Sequence, residues 1–182
     1  MKTLTFAMMM ALGMAMVSAQ SQPAPAPAPD NSYTASVRAR WNGIKRNISR
    51  SAAAMPDAGF AFKPTPDVRS FGELLGHLAN EHYIFCSEMK GEKNPYEAVD
   101  FEKKATKADF VKDIDDSIAY CDAAYAAMKD DPKATTPFAP NRRDTPFSSM
   151  LLNVTHDSEH YGNLVTYLRL KGIVPPSSQP SR

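Results

Sequence analysis

The chain has 182 residues, 43% of them hydrophobic and 23% charged, with 21 basic against 20 acidic side chains. That balance argues against a nucleic-acid or acidic-membrane surface, because neither is held without a basic excess, and no cluster of Lys and Arg along the chain overturns it. The length suits one domain of ordinary size with ample material for a core.

Met1 to Ala19 carries a single charge, Lys2, ahead of the apolar run TLTFAMMMALGMAMVSA, which ends in small residues. The pattern predicts a secretory signal peptide over 1–19 and so an exported protein, periplasmic or secreted. The run is shorter than the roughly 20 residues a spanning helix needs, so no stable membrane insertion is expected after cleavage. Gln20 to Asn31, QSQPAPAPAPDN, alternates Pro and Ala, prefers an extended conformation and reads as a linker.

From Ser32 to Met55 the apolar residues Val37, Trp41, Ile44, Ile48 and Ala52 recur at steps of four and three, the mark of a helix with one buried stripe. Two prolines and a glycine over 57–66, DAGFAFKPTP, prevent its continuation. A second helix opens near Ser70, with Glu73 completing a capping box, and runs to about Lys90 along Phe71, Leu74, Leu78, Phe85 and Met89. Residues 91–105 turn polar, with Gly91 and Pro95 as breakers, and read as a connection. Thr106 and Asp109 open a third helix, continued by Phe110, Ile114, Ile118, Cys121, Tyr125 and Met128.

Asp130 to Pro146 is the longest loop. Its Arg142 and Arg143 read as a solvated turn or as a contact for an anionic substrate. A fourth helix follows to Lys171, stopped by Gly172, Pro175 and Pro176. Four helices without a strand signal or an internal repeat predict an all-α antiparallel four-helix bundle over 32–176, a fold that builds its sites between facing helices. Residues 177–182, SSQPSR, read as a disordered tail.

The chemistry lies in four histidines. His156 and His160 are four residues apart, which at about 100° per residue leaves them roughly 40° apart on one helix face, able to share an ion. His77 and His82, on the second helix, are about 140° apart and cannot both face one point. Both border the apolar stripe of that helix; spacing favours His77 without excluding His82.

The segments KPTPDVRSFGELLGHLANEHY and HDSEHYGNLVTYLRLKGIVPP resemble the DinB/YfiT-like family of metal-binding four-helix bundles. In that family a histidine of an HLA motif on the second helix joins the two of an H-x-x-x-H motif on the last to hold a divalent ion. The resemblance implies His77, His156 and His160 as metal ligands. Many members follow the last histidine with Arg-Gly-Gln, where this chain has Tyr161-Gly162-Asn163, so no role of that arginine carries over.

Three neutral imidazoles leave a metal with an open position, as in catalytic sites. Imidazole suits several ions; zinc is expected first and nickel second. The expectation is a metal-dependent hydrolase or a thiol transferase, of the bacillithiol, mycothiol or glutathione type that the resemblance implies. Its partner would be a small-molecule substrate, with a low-molecular-weight thiol in the transferase case. A non-catalytic metal-binding or stress-related bundle, working as a homodimer, uses the same ligands. No catalytic acid or base is assigned. Glu81, one turn after His77, reads as a solvated carboxylate or as a partner of the site. The string from His156 to His160 places Asp157 where the zinc-protease motif H-E-x-x-H has Glu, with too short a side chain for that role. His82 reads as a half-buried packing residue or a donor behind the ligands. Asn153, Asn163 and Tyr167 are candidate hydrogen-bonding groups of a cavity. Cys86 and Cys121, on the second and third helices, are either a disulfide or two core thiols.

Overall fold

Side chains that take the first free N–H groups set where the helices start. In the computed structural model of the protein, which describes residues 32–131 and 145–180, Ser32 accepts from Ala35 N–H ahead of α1 (Tyr33–Ala54). Ser70 and Glu73 exchange both bonds of a capping box ahead of α2 (Phe71–Lys90). Thr106 caps α3 (Lys107–Ala127), and Thr145 caps α4 (Pro146–Leu170), whose first residue is proline. Gly91 ends α2 at φ 66°, a left-handed conformation that glycine adopts without a Cβ penalty. The signal peptide, the linker, Arg142, Arg143 and residues 181–182 lie outside the described residues. Among the described residues there is no strand, and no helix is long and apolar enough to cross a membrane.

The four helices form the expected bundle, in which α1 and α2 each pack on α3 and α4. Antiparallel packing holds for α2 against α4, where Glu88 meets Ser149 and His77 meets His156, and for α1 against α3, where Arg38 meets Tyr125 and Lys107 meets Met55. α2 and α3, by contrast, run in parallel, with His82 against Ser117 and Cys86 against Cys121. The connection makes this direction possible. Residues 91–106 span up to roughly 50 Å when extended, and α2, with 20 residues, is about 30 Å long. The chain can therefore return to the start of α2 before α3 begins.

Each apolar stripe read from the sequence faces the core. Trp41, Ile48, Leu78, Ile114, Met150 and Leu164 are fully buried. Trp41 stacks on Tyr125, with ring centroids 4.7 Å apart, and donates to Asp122 Oδ1 at 2.6 Å. His82 is not half-buried: it is 0% exposed, with Nδ1 2.8 Å from Ser117 Oγ and Nε2 3.0 Å from Asp157 Oδ1.

Cys86 and Cys121 are joined as a disulfide across the parallel pair α2 and α3. The bridge closes a sequence separation of 35 residues, for which the chain-entropy account gives about 3–4 kcal/mol. The Cys86→Ser/Cys121→Ser variant is expected to melt roughly 6–16 °C below the parent by calorimetry. An unchanged transition would show that the unfolded chain is not restrained by the bridge.

The C-terminal tail differs from its expected disorder as far as residue 180. Pro176–Ser178 form a turn of 3-10 helix, and Tyr161 and Ser177 exchange hydrogen bonds: the Tyr161 hydroxyl donates to Ser177 Oγ at 2.8 Å and accepts from Ser177 N–H at 3.0 Å. Polar, proline-bearing composition predicts solvation, but the largely buried Tyr161 offers the tail both a donor and an acceptor.

Candidate metal centre

Antiparallel packing of α2 on α4 sets His77 opposite the two histidines that α4 presents one turn apart. His156 Nε2 lies 3.2 Å from His77 Nε2 and 3.0 Å from His160 Nε2. A tetrahedral ion with bonds of ~2.0–2.1 Å holds its ligand atoms roughly 3.3 Å apart, so both of these separations suit a shared ion, and all three ligand atoms lie within 4.8 Å of one another. The hydrogen bond behind His77 suits this arrangement. His77 uses its Nδ1–H on Glu102 Oε1 at 3.0 Å, which turns the Nε2 lone pair inward. His156 can donate one Nε2 proton to one neighbour at most, so at least two lone pairs converge, and a cation relieves their repulsion. The cluster can hold a metal ion.

Burial first, and then the charges of His160 and His77, push His156 down to about 3 from 6.5. His160 is lowered as well, by burial and then by His77. Both imidazoles are therefore neutral at neutral pH, the form that ligates. Between about 6.5 and about 3 the unfolded chain binds a proton at position 156 that the folded chain refuses. The metal-free protein is thus expected to keep this contribution above pH 6.5 and to lose it progressively as pH falls towards 3. Urea unfolding across that range in the presence of chelator measures it. A flat profile there, the same in His156→Asn, would contradict the assignment.

A layer behind the histidines comes from the 91–106 connection. Phe101–Lys103 form a 3-10 turn capped by Asp100, with Phe101 buried and its N–H given to Asn80 Oδ1 at 3.1 Å. The turn approaches α2 so closely that a Cβ on Gly76 would lie 2.4 Å from the Phe101 carbonyl oxygen. This contact delivers Glu102 to His77. Glu102 also accepts from Arg69 Nε at 2.9 Å.

The other sequence candidates divide. Asn163 Nδ2 lies 3.2 Å from His160 Nδ1, and the Tyr167 hydroxyl donates to the Arg69 carbonyl at 2.6 Å. Asn153 belongs to the core instead, where it donates to Tyr125 Oη and Asp157 Oδ2. Glu81 lines a small cleft beside His77, but the carboxylate on that ring is Glu102. Glu102 was missed because a polar connection gives no periodic signal. Asp100, three residues before Lys103 and with an Asx-type cap on Glu102, was the local hint of an ordered turn.

A helical bundle carrying a three-histidine cluster between α2 and α4 is thus the class that fold and site define. The chain belongs to the DinB superfamily, whose family model matches residues 40–164. A crystal structure of a conserved protein from Enterococcus faecalis has the same fold, with a TM-score of 0.61 at 15% sequence identity over 78% of this chain and 98% of that one. No curated protein matches the sequence.

Proposed function

We propose that the protein is an exported metalloprotein in which His77, His156 and His160 hold one divalent ion, zinc first and nickel second, and which acts as a metal-dependent hydrolase or thiol transferase on a small molecule. The convergence of three Nε2 atoms carries this reading. Export rests on the Met1–Ala19 pattern. An ion so held supplies Lewis acidity to a water, carbonyl or thiol at its open position. Glu102 fixes the tautomer and aim of His77. A cleft of about 710 Å³ reaches His160 and gives a small molecule access, which favours turnover over mere storage. Because Cys86 and Cys121 are bridged, the thiol of a transferase reaction would come from a low-molecular-weight partner.

Metal analysis of protein recovered from periplasm or culture medium tests this, with one ion per chain expected. Stoichiometric metal in the His77→Ala/His156→Ala/His160→Ala variant would remove the basis of the reading. Glu102→Gln is expected to weaken metal affinity about 10–100-fold in chelator competition while the metal-free melting temperature holds. An unchanged affinity would show that the carboxylate does not support His77.

A further inference from the structure

Arg69 stands on the wall shared by two clefts beside the histidines. The larger, about 710 Å³, is also lined by His160, and the smaller, about 380 Å³, by His77. Its backbone is fixed on both sides: its carbonyl accepts from Tyr167, and the next residue, Ser70, caps α2. Its side chain is fixed too, because Nε donates to Glu102 Oε2 at 2.9 Å while the other oxygen of that carboxylate holds His77. Glu102 engages Nε alone. Among the described residues the two terminal guanidinium nitrogens make no hydrogen bond, and the side chain is 43% exposed. A guanidinium held in this way keeps its two-pronged edge for a planar oxyanion, with its orientation already set. The other cation of the larger cleft, Lys63, is engaged by Glu73 at 2.9 Å.

We infer that Arg69 recognises a carboxylate of the substrate, so that the site takes small molecules bearing a carboxylate beside the group offered to the ion. This inference rests on the metal-centre reading above. A carboxylate fits better than a phosphate because Asp67, Glu73 and Glu102 line the same cleft and repel the more highly charged group more strongly.

The test uses the full-length protein loaded with cobalt(II), whose visible spectrum reports ligands that reach the ion. The probes are acetohydroxamate, the monohydroxamates of succinic and glutaric acid, and phosphonoacetohydroxamate. One carboxylated probe is expected to bind about 10-fold or more tightly than acetohydroxamate. The advantage should fall to within about twofold in Arg69→Gln and be intermediate in Arg69→Lys. Equal affinities in the parent protein, or an advantage that survives Arg69→Gln, would overturn the role of Arg69 while leaving the metal centre standing. Tighter binding of the phosphonate than of the carboxylates would overturn the substrate class. Failure to take up cobalt would overturn the metal centre and this inference with it. Should Arg69→Gln not fold, an undiminished preference in Arg69→Lys is the overturning result.

Discussion

Replacing His156 by alanine is expected to abolish metal retention, lowering affinity on the order of 1,000-fold or more. Its Nε2 is the atom that lies close to both other histidines, at 3.2 and 3.0 Å, so its loss leaves two ligands on opposite helices without their link. A supporting partner behind a ligand is worth about 10–100-fold, and a direct ligand is worth more. The substitution should spare the fold: among the described residues the ring's only hydrogen-bond contacts are the two cluster histidines, and a neutral imidazole with a buried, unpartnered Nδ1 makes a poor structural contact. The readouts are metal per chain after dialysis and melting with and without added zinc. At a metal concentration about 1,000 times the dissociation constant, bound metal adds about 4 kcal/mol to the parent, and this increment should vanish in His156→Ala. A zinc-dependent shift of parental size in the variant would place the ion elsewhere.

The opposite behaviour is expected one residue further on. Asp157 is 0% exposed and meets His82, also 0% exposed, at 3.0 Å, with Asn153 as a further donor to the carboxylate. Removing one partner of such a pair leaves the other buried without its counterpart, at a cost of about 3–5 kcal/mol. Asp157→Ala is therefore expected to lower the unfolding free energy by that amount in urea titrations. The double replacement His82→Leu/Asp157→Leu should cost less than either single loss, since apolar groups of similar size need no partner. If the single substitutions prove mild and additive, the pair is not coupled. Neighbouring positions on α4 thus face different surroundings: His156 joins the three-histidine cluster, and the adjacent Asp157 pairs with His82 in the core.

Helix limits were legible because the signals are local. Ser70, Glu73, Thr106 and Gly91 act within one turn, and the apolar steps of Val37 to Ala52 or Phe110 to Met128 need only helical geometry. The choice between His77 and His82 was not local. Both border the same stripe, and what separates them is which neighbour each meets: His77 faces α4 at the bundle surface, whereas His82 lies inside between Ser117 and Asp157. Helix direction was equally hidden, because periodicity is the same in either sense and only the length of the 91–106 connection allowed the return that makes α2 and α3 parallel. Glu102 depended on a contact made through the missing side chain of Gly76.

The disulfide joins α2 to α3 and leaves α4 without any covalent tie. In amide hydrogen exchange, α4 should therefore open in smaller excursions than the bridged pair, exchanging ahead of the residues around Cys86 and Cys121. An ion gripped by α2 and α4 would act as the second clasp, and its removal should accelerate exchange in α4 far more than in α3.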